Sequence, residues 1–231
     1  MGHRDTITGI TFDKENDQFY TVSNDRALKV WNIREMMYMD SHYGHQSDVL
    51  CLDQYSRDRV ISCGLDRQVI FWKVNEDSEL IYRNPDHFTD TVSVVNNHFF
   101  VTSSSSDNCL DLWIMNKKKP VFSLGGCHST DSLLLSTALV KNTDLMVSGG
   151  NDGRVNVYQF NKEKKQLSKL RAIEGLDGCI NSLKFSHSKG RQNLAKNQLM
   201  LAVSHSQEEK YGRWHVDSGA KTGVSIVRKV N

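Results

Sequence analysis

The sequence predicts an all-β protein built from five repeats of a small antiparallel sheet of about four strands. Tryptophans recur at a spacing of 41 residues, at Trp31, Trp72 and Trp113. The segments around them are short runs of β-branched and aromatic residues that end at turn signals. Because one small sheet cannot bury both of its faces alone, we expect each repeat to stack face to face against the next.

The strands of a repeat are predicted from short alternating segments. In the first repeat these segments are Ile7–Phe12, Phe19–Ser23 and Leu28–Trp31. In the fourth repeat, Asn151-Asp152-Gly153 separates two such segments and predicts a hairpin turn that requires a positive φ angle. The pattern predicts one domain over 1–231, with repeats at about 2–43, 44–84, 85–126, 127–177 and 178–231.

Each repeat carries a spaced set of polar side chains. An acid lies six positions before the aromatic residue, a hydroxyl lies four positions before the acid, and a histidine opens four of the five repeats. The first three sets are His3, Thr21, Asp25 and Trp31; His45, Ser62, Asp66 and Trp72; and His87, Ser103, Asp107 and Trp113. The fourth contains His128, Ser148, Asp152 and Tyr158, where tyrosine replaces tryptophan. The fifth repeat has Ser204, Glu208 and Trp214 but Leu176 at the histidine position, so it lacks the set.

These motifs resemble WD40 repeats along essentially the whole chain. Gly2-His3 and Gly44-His45 match the Gly-His pair of such repeats, and Trp31-Asn32 and Trp72-Lys73 stand where the Trp-Asp pair would be. The resemblance implies a WD40 β-propeller in which the histidine, hydroxyl, acid and tryptophan of a blade form one hydrogen-bonded set. Physically, the hydroxyl would accept from the buried indole N–H, and the acid would fix the imidazole. Because propellers of this family usually have seven blades, we expect the five repeats to be part of a larger propeller that has about two more.

A histidine, a serine and an aspartate in one repeat also have the composition of a hydrolase triad. Catalysis needs one triad, whereas this chain has three or four copies at the same spacing, which favours a structural role. The sequence shows neither an unrepeated catalytic constellation nor a zinc-type ligand spacing. We therefore predict a protein that is not an enzyme and that uses no cofactor, metal or small-molecule substrate.

Composition restricts the environment and the partners. No stretch approaches 18 consecutive apolar residues, so no membrane helix is predicted. The five cysteines are widely spaced and never form a C-x-x-C pair, which favours a reducing compartment. The net charge of +2 is unevenly distributed, since residues 1–115 carry −8 and residues 116–231 carry +10. The second half is therefore the predicted partner of a polyanion.

Candidate binding residues fall into three groups. The first group lies in two basic loops, one with Lys162, Lys164 and Lys165 and the other with Lys189 and Arg191, which could contact phosphates. The second group, Tyr211 and Arg213, contains candidates for contacts with bases. The third group, Arg26, Arg67 and Arg154, follows the turn acids. The resemblance places those arginines on the propeller face that most often binds partners. They could hold an RNA phosphate or an acidic peptide, and the alternative for the lysine loops is that they are solvated connections.

The last repeat carries the most specific resemblance. Gln207–Trp214, with its Gln-Glu-x-x-x-Gly-Arg-Trp frame, and Ile180–Ser186 look like the C-terminal blades of the WD-repeat proteins of the U3 small nucleolar ribonucleoprotein. The resemblance implies a noncatalytic subunit of the small-subunit processome in the nucleolus of the nucleus. Its implied partners are the box B/C region of U3 small nucleolar RNA, a kink-turn-binding protein and other processome proteins, and its implied process is pre-18S ribosomal RNA processing. The alternative is a generic WD40 peptide adaptor, such as a ubiquitin-ligase substrate receptor.

Overall fold

The computed structural model describes residues 2–13, 15–129, 132–176, 178–187, 199–209, 212–216 and 218–228. The chain forms two compact units, residues 1–123 and 124–231. Apart from one turn of 3-10 helix at Val74–Glu76, the regular elements of the described residues are β-strands. No helix in this part of the chain has the length and apolarity needed to cross a membrane.

The first unit contains three antiparallel sheets whose strands follow the chain order. Sheet 1 consists of β1 (Ile7–Asp13), β2 (Gln18–Ser23), β3 (Ala27–Asn32) and β4 (Met37–Tyr43). Sheet 2 consists of β5 (Val49–Ser56), β6 (Arg59–Gly64), β7 (Gln68–Lys73) and β8 (Ser78–Arg83). Sheet 3 consists of β9 (Thr91–Val94), β10 (Phe99–Ser104), β11 (Cys109–Ile114) and β12 (Phe122–Leu124).

The inner strands of these sheets are buried on both faces because each sheet packs against the next. Tyr20 of sheet 1 and Val49 of sheet 2 belong to one apolar cluster. Phe71 of sheet 2 and Phe100 of sheet 3 belong to another. The last strand of a sheet is more exposed, as the mostly exposed and half-buried residues of β4 show. This burial explains why the inner strands are nearly continuous apolar runs, whereas the outer strands contain polar residues.

Hydrogen bonds between neighbouring sheets repeat at the period of the sequence. The Thr8 hydroxyl donates to the carbonyl oxygen of Val49, 2.5 Å away, and the N–H of Val94 donates to the Asp53 carboxylate, 2.8 Å away. Both pairs are separated by 41 residues in the chain. The repeat length therefore corresponds to one sheet and to the step between adjacent sheets.

The second unit continues the same construction. Sheet 4 consists of β13 (Leu134–Leu139), β14 (Leu145–Gly150), β15 (Val155–Asn161) and β16 (Gln166–Ile173). Sheet 5 consists of β17 (Cys179–His187), β18 (Leu199–Ser206) and β21 (Gly223–Arg228), and β19 (Glu208–Glu209) pairs separately with β20 (Gly212–Val216). Val147 of sheet 4 and Ile180 of sheet 5 share one apolar cluster. The described residues thus show four sheets of four strands, followed by a fifth sheet in which three strands are paired.

Candidate functional site

In sheet 2 the predicted polar set forms one continuous chain of hydrogen bonds. The Trp72 indole N–H donates to Oγ of Ser62, 2.8 Å away, and Oγ of Ser62 lies 2.8 Å from Nε2 of His45. Nδ1 of His45 lies 2.9 Å from the Asp66 carboxylate. A neutral imidazole protonated on Nδ1 satisfies every group, since the hydroxyl then donates to Nε2 and Nδ1 donates to the carboxylate. In sheet 1 the same chain, with 2.8 Å for each bond, links Trp31, Thr21, His3 and Asp25.

The burial of the hydroxyl argues against nucleophilic catalysis by these sets. The exposed fraction of Ser62 is 0% and that of Thr21 is 4%. A nucleophile must reach a substrate, whereas each of these oxygens already accepts a bond from an indole inside the sheet. The set therefore joins the strands of a sheet to the loop that carries the histidine.

The carboxylates of the sets are stabilised in their charged form. Burial alone would raise the pKa of Asp66, but hydrogen bonds from His45 and from the backbone N–H groups of Gln46 and Gln68 hold it below the ordinary value. The pKa of Asp152 is lowered in the same way against the effect of burial, chiefly by its hydrogen bond from His128. These carboxylates are therefore acceptors at neutral pH, which suits a structural network.

The third set differs from the prediction at the hydroxyl. The Trp113 indole N–H donates to Oγ1 of Thr102, 2.9 Å away, and not to Ser103. The hydroxyl of Ser103 instead pairs with that of Thr91 at 2.6 Å. Nδ1 of His87 lies 3.0 Å from the Asp107 carboxylate but is out of line for a hydrogen bond. The Trp113 indole therefore bonds Thr102 and not the predicted Ser103, and among the described residues no hydrogen bond joins His87 to either hydroxyl. The predicted set of His87, Ser103, Asp107 and Trp113 is thus not continuous in sheet 3.

The length of one hairpin loop explains this correction. In both sheets the hydroxyl lies two residues after the residue that pairs with the tryptophan, which is Val60 in sheet 2 and Phe100 in sheet 3. Three residues, 65–67, connect the inner strands of sheet 2, whereas four residues, 105–108, connect those of sheet 3. The extra residue moves the hydroxyl from ten to eleven positions before the tryptophan. A fixed spacing therefore pointed one residue too far along the strand.

This correction gives a testable difference between adjacent residues. Thr102→Val keeps the shape of the side chain but leaves the fully buried Trp113 indole N–H without an acceptor, so we expect the free energy of unfolding to fall by about 1–3 kcal/mol. Ser103→Ala should leave the indole bond intact. Denaturant unfolding measures the loss, and the indole N–H resonance of Trp113 reports the bond. A shift of that resonance in Ser103→Ala but not in Thr102→Val would contradict the assignment.

Three potential metal ligands lie together beside the third set. The ligand atoms of His87, Cys109 and Asp111 are within 4.8 Å of one another, and they form the one such group found among the described residues. Burial raises the pKa of Asp111, although hydrogen bonds from Ser123 and Asn84 act in the opposite direction. Both oxygens of the Asp111 carboxylate thus have protein donors, from Ser123 Oγ and from Asn84 Nδ2. The group is accounted for as a buried polar network that links β11 with β12 and with the loop after β8.

The fourth set is completed by a tyrosine. Oγ of Ser148 lies 2.8 Å from Nε2 of His128 and 3.2 Å from the Tyr158 hydroxyl. That hydroxyl also lies 3.3 Å from the carbonyl oxygen of Cys127. Nδ1 of His128 is 2.9 Å from the Asp152 carboxylate. Tyrosine therefore takes the place of the indole, but its hydroxyl accepts from Ser148 and donates to the carbonyl oxygen of Cys127.

The residue after each set acid has a left-handed backbone. The φ angles are 67° at Arg26, 58° at Arg67, 51° at Asn108 and 68° at Gly153. At Gly153 a side chain would collide with the carbonyl oxygen of Leu176. Left-handed φ is unfavourable for a residue such as arginine, which makes Arg26 and Arg67 unusual occupants of this turn.

The structure distributes the predicted binding residues over both units. Arg26 lines a cavity of about 240 Å³ with Arg4 and Lys29, and Arg67 lines one of about 830 Å³. In the second unit Arg154 lies 3.4 Å from the Glu174 carboxylate. Exposed lysines occupy the hairpin between β15 and β16, which contains Lys162, Lys164 and Lys165. Lys189, Arg191 and Tyr211 lie outside the described residues, as does the side chain of Arg213.

Comparison with known proteins finds WD40 repeats and relatives whose names refer to U3. The family model described as "WD domain, G-beta repeat" matches residues 1–32 and 38–73. A solved structure of U3-55K superimposes with a TM-score of 0.87 and 32% identity, covering 99% of this chain and 69% of that chain. The U3 snoRNP-associated protein-like EMB2271 of Arabidopsis thaliana is 30% identical over 97% of this chain and 48% of its own length. U3 small nucleolar RNA-interacting protein 2 of Mus musculus is 34% identical over 66% of this chain and 31% of its own length.

The stacked four-stranded sheets and their repeated hydrogen-bonded sets define a WD40-repeat protein, and the superposition confirms the predicted propeller fold class. The chain spans about half the length of its Arabidopsis relative. It belongs to the family of WD40-repeat proteins that includes U3-55K. The WD40 repeats and the names of the relatives indicate a family of structural scaffolds.

Proposed function

We propose that this protein is a noncatalytic subunit of the U3 small nucleolar ribonucleoprotein that contacts U3 RNA and processome proteins in the nucleolus. The observation that carries the proposal is the likeness to U3-55K, at 32% identity over 99% of this chain. The name of the mouse relative, a U3 small nucleolar RNA-interacting protein, supports RNA as the ligand. The proposed RNA segment is box B/C, bound together with a kink-turn-binding protein during pre-18S ribosomal RNA processing.

The charge distribution supports an RNA contact by the second unit. Lys164 and Lys165 are exposed in the β15–β16 hairpin, and neither forms an ion pair with another described residue. Lys162, in contrast, lies 3.7 Å from the Asp144 carboxylate. An unpaired lysine can neutralise a phosphate and release its counterions, whereas a paired one must first give up its partner. Lys164 and Lys165 are thus the stronger candidates in this loop.

The loop makes a measurable prediction for RNA affinity. Lys164→Glu combined with Lys165→Glu should weaken binding of a U3 box B/C RNA fragment and reduce the salt slope of its binding constant by about 1.4, because each lost phosphate contact removes about 0.7. The matched control is Lys184→Glu with Lys221→Glu, which reverses two exposed charges of the same unit outside the hairpin. Titrations at several salt concentrations measure both slopes. Equal salt slopes in the hairpin variant and the control variant would show that the hairpin is not part of the RNA interface.

A peptide adaptor would behave differently in the same assays. It would bind a peptide, and the RNA fragment would show weak binding that no single surface patch controls. Recovery of peptide partners without U3 RNA from cells would therefore overturn the proposal.

A further inference from the structure

A cleft of about 830 Å³ lies where sheet 2 meets the β11–β12 connection of sheet 3, within the first unit. Its lining includes four basic side chains, Arg67, Arg83, Lys118 and Lys119, and the apolar side chains of Ile81 and Pro85. Residues 1–123 as a whole contain 13 basic and 18 acidic residues. The cleft therefore concentrates positive charge on a unit whose net charge is negative.

The positive charge of this cleft is not neutralised by the protein. None of its four cations forms an ion pair with a described residue, in contrast to Arg59 and Lys73 of the same sheet, which both contact Glu76. Asp66 is the one acid of the lining, and its carboxylate accepts hydrogen bonds from His45, Gln46 and Gln68. Four exposed, unpaired cations around one concave surface attract an anionic ligand that carries several charges.

Arg67 lines the cleft although its backbone conformation is unfavourable for arginine. Its φ angle is 58°, in the region that favours glycine or asparagine, and sheet 3 has Asn108 at the same turn position. The guanidinium lies 4.7 Å from the centroid of the Phe88 ring, whose side chain is 38% exposed. An arginine paired with an exposed ring offers both a phosphate donor and a flat surface for a stacked base.

The backbone at the cleft favours a nucleic acid over an acidic peptide. An extended peptide would bind here by pairing with the outer strand β8. At the cleft end of that strand the Arg83 N–H already donates to the carbonyl oxygen of Lys118, 3.3 Å away. At this end of the strand the cleft therefore presents charged side chains and a ring beside a backbone N–H that is already bonded. A single-stranded nucleic acid carries phosphates along a flexible backbone and bases that can stack, so it matches the cations and the ring of the cleft.

From these observations we infer that the cleft lined by Arg67, Arg83, Lys118 and Lys119 binds the phosphates of a single-stranded RNA segment, with Phe88 next to a base. The inference rests on the proposed RNA-binding function and adds a second contact to it, in the half of the chain with net negative charge.

The test uses the complete chain and two labelled probes, a folded U3 box B/C RNA fragment with its flanking single strands and a polyglutamate peptide. Lys118→Gln with Lys119→Gln should lower the RNA affinity at least tenfold at 0.1 M salt, since each phosphate contact contributes about fivefold there. Arg59→Gln with Lys73→Gln removes two charges from the same unit outside the cleft and is the matched control. Arg67→Asn adds a variant whose turn suits asparagine, so binding should fall while thermal stability is kept or rises.

Each outcome is decisive for one of the two proposals. RNA binding that falls in the cleft variants and not in the control supports the cleft. Equal RNA affinity in the cleft and control variants overturns the cleft but leaves the proposed function standing. Cleft-dependent binding of the peptide, without cleft-dependent binding of the RNA, overturns RNA as the occupant. Failure of the unmutated chain to bind the RNA fragment, both alone and together with the kink-turn-binding protein, overturns the proposed function itself.

Discussion

Trp113→Ala should lower the free energy of unfolding of the first unit by about 3–5 kcal/mol, the usual cost of removing a buried tryptophan. The exposed fraction of Trp113 is 0%, and its ring stacks on Phe100 with centroids 5.5 Å apart and meets the edge of Tyr82. The substitution leaves a cavity between these rings and removes the donor to Thr102. Guanidinium unfolding followed by circular dichroism measures the loss.

The control for this substitution is the first tryptophan of the series. Trp31 stacks on Phe19 with centroids 5.9 Å apart but is only half-buried, so part of its surface already contacts water in the folded state. Trp31→Ala should therefore cost clearly less than Trp113→Ala. Equal losses would show that burial between sheets does not set the contribution of the repeated aromatic residue.

Ser62→Ala should have the next largest effect, about 2–4 kcal/mol, because two buried groups lose their partner at once. Oγ of Ser62 accepts from the Trp72 indole and bonds Nε2 of His45, both at 2.8 Å. Neither group can turn to water, since Trp72 and His45 are buried. The same unfolding measurement applies.

Ser148→Ala in sheet 4 provides the comparison. Its Tyr158 hydroxyl keeps the Cys127 carbonyl oxygen as an acceptor at 3.3 Å, so only His128 loses a partner. We expect about half of the loss seen in Ser62→Ala. A larger loss in Ser148→Ala than in Ser62→Ala would contradict the account of how tyrosine replaces tryptophan.

The repeated sheets could be predicted from the sequence because their signals are local. The turn acids and the strand composition lie within single repeats, the tryptophans recur once per repeat, and each repeat corresponds to one sheet in the structure. The set that failed shows the limit of this reasoning. Ser103 stands at the expected distance before Trp113, yet loop length decides which hydroxyl faces the indole. The extra residue in 105–108 relative to 65–67 shows only in the strand bounds of the structure, because Ser103, Asp107 and Trp113 keep the spacing of the second repeat.

The basic cleft could not be predicted because its residues come from separate parts of the chain. Arg67 follows a turn acid and was a candidate, but Arg83 ends a strand, and Lys118 lies in a connection of the next sheet. Only packing of sheet 2 against sheet 3 brings them together. The half-chain charge balance pointed to the second half, since it averages over residues that are far apart in space.

The most direct test of the central claim, that this WD40 protein contacts U3 RNA, is ultraviolet crosslinking of the full-length protein in cells followed by sequencing of the attached RNA. The account predicts reads concentrated on U3 small nucleolar RNA at the box B/C segment, and a reduced yield when Lys118 and Lys119 are both changed to glutamine. U3 reads no more abundant than those recovered with an unrelated WD40 protein would contradict it.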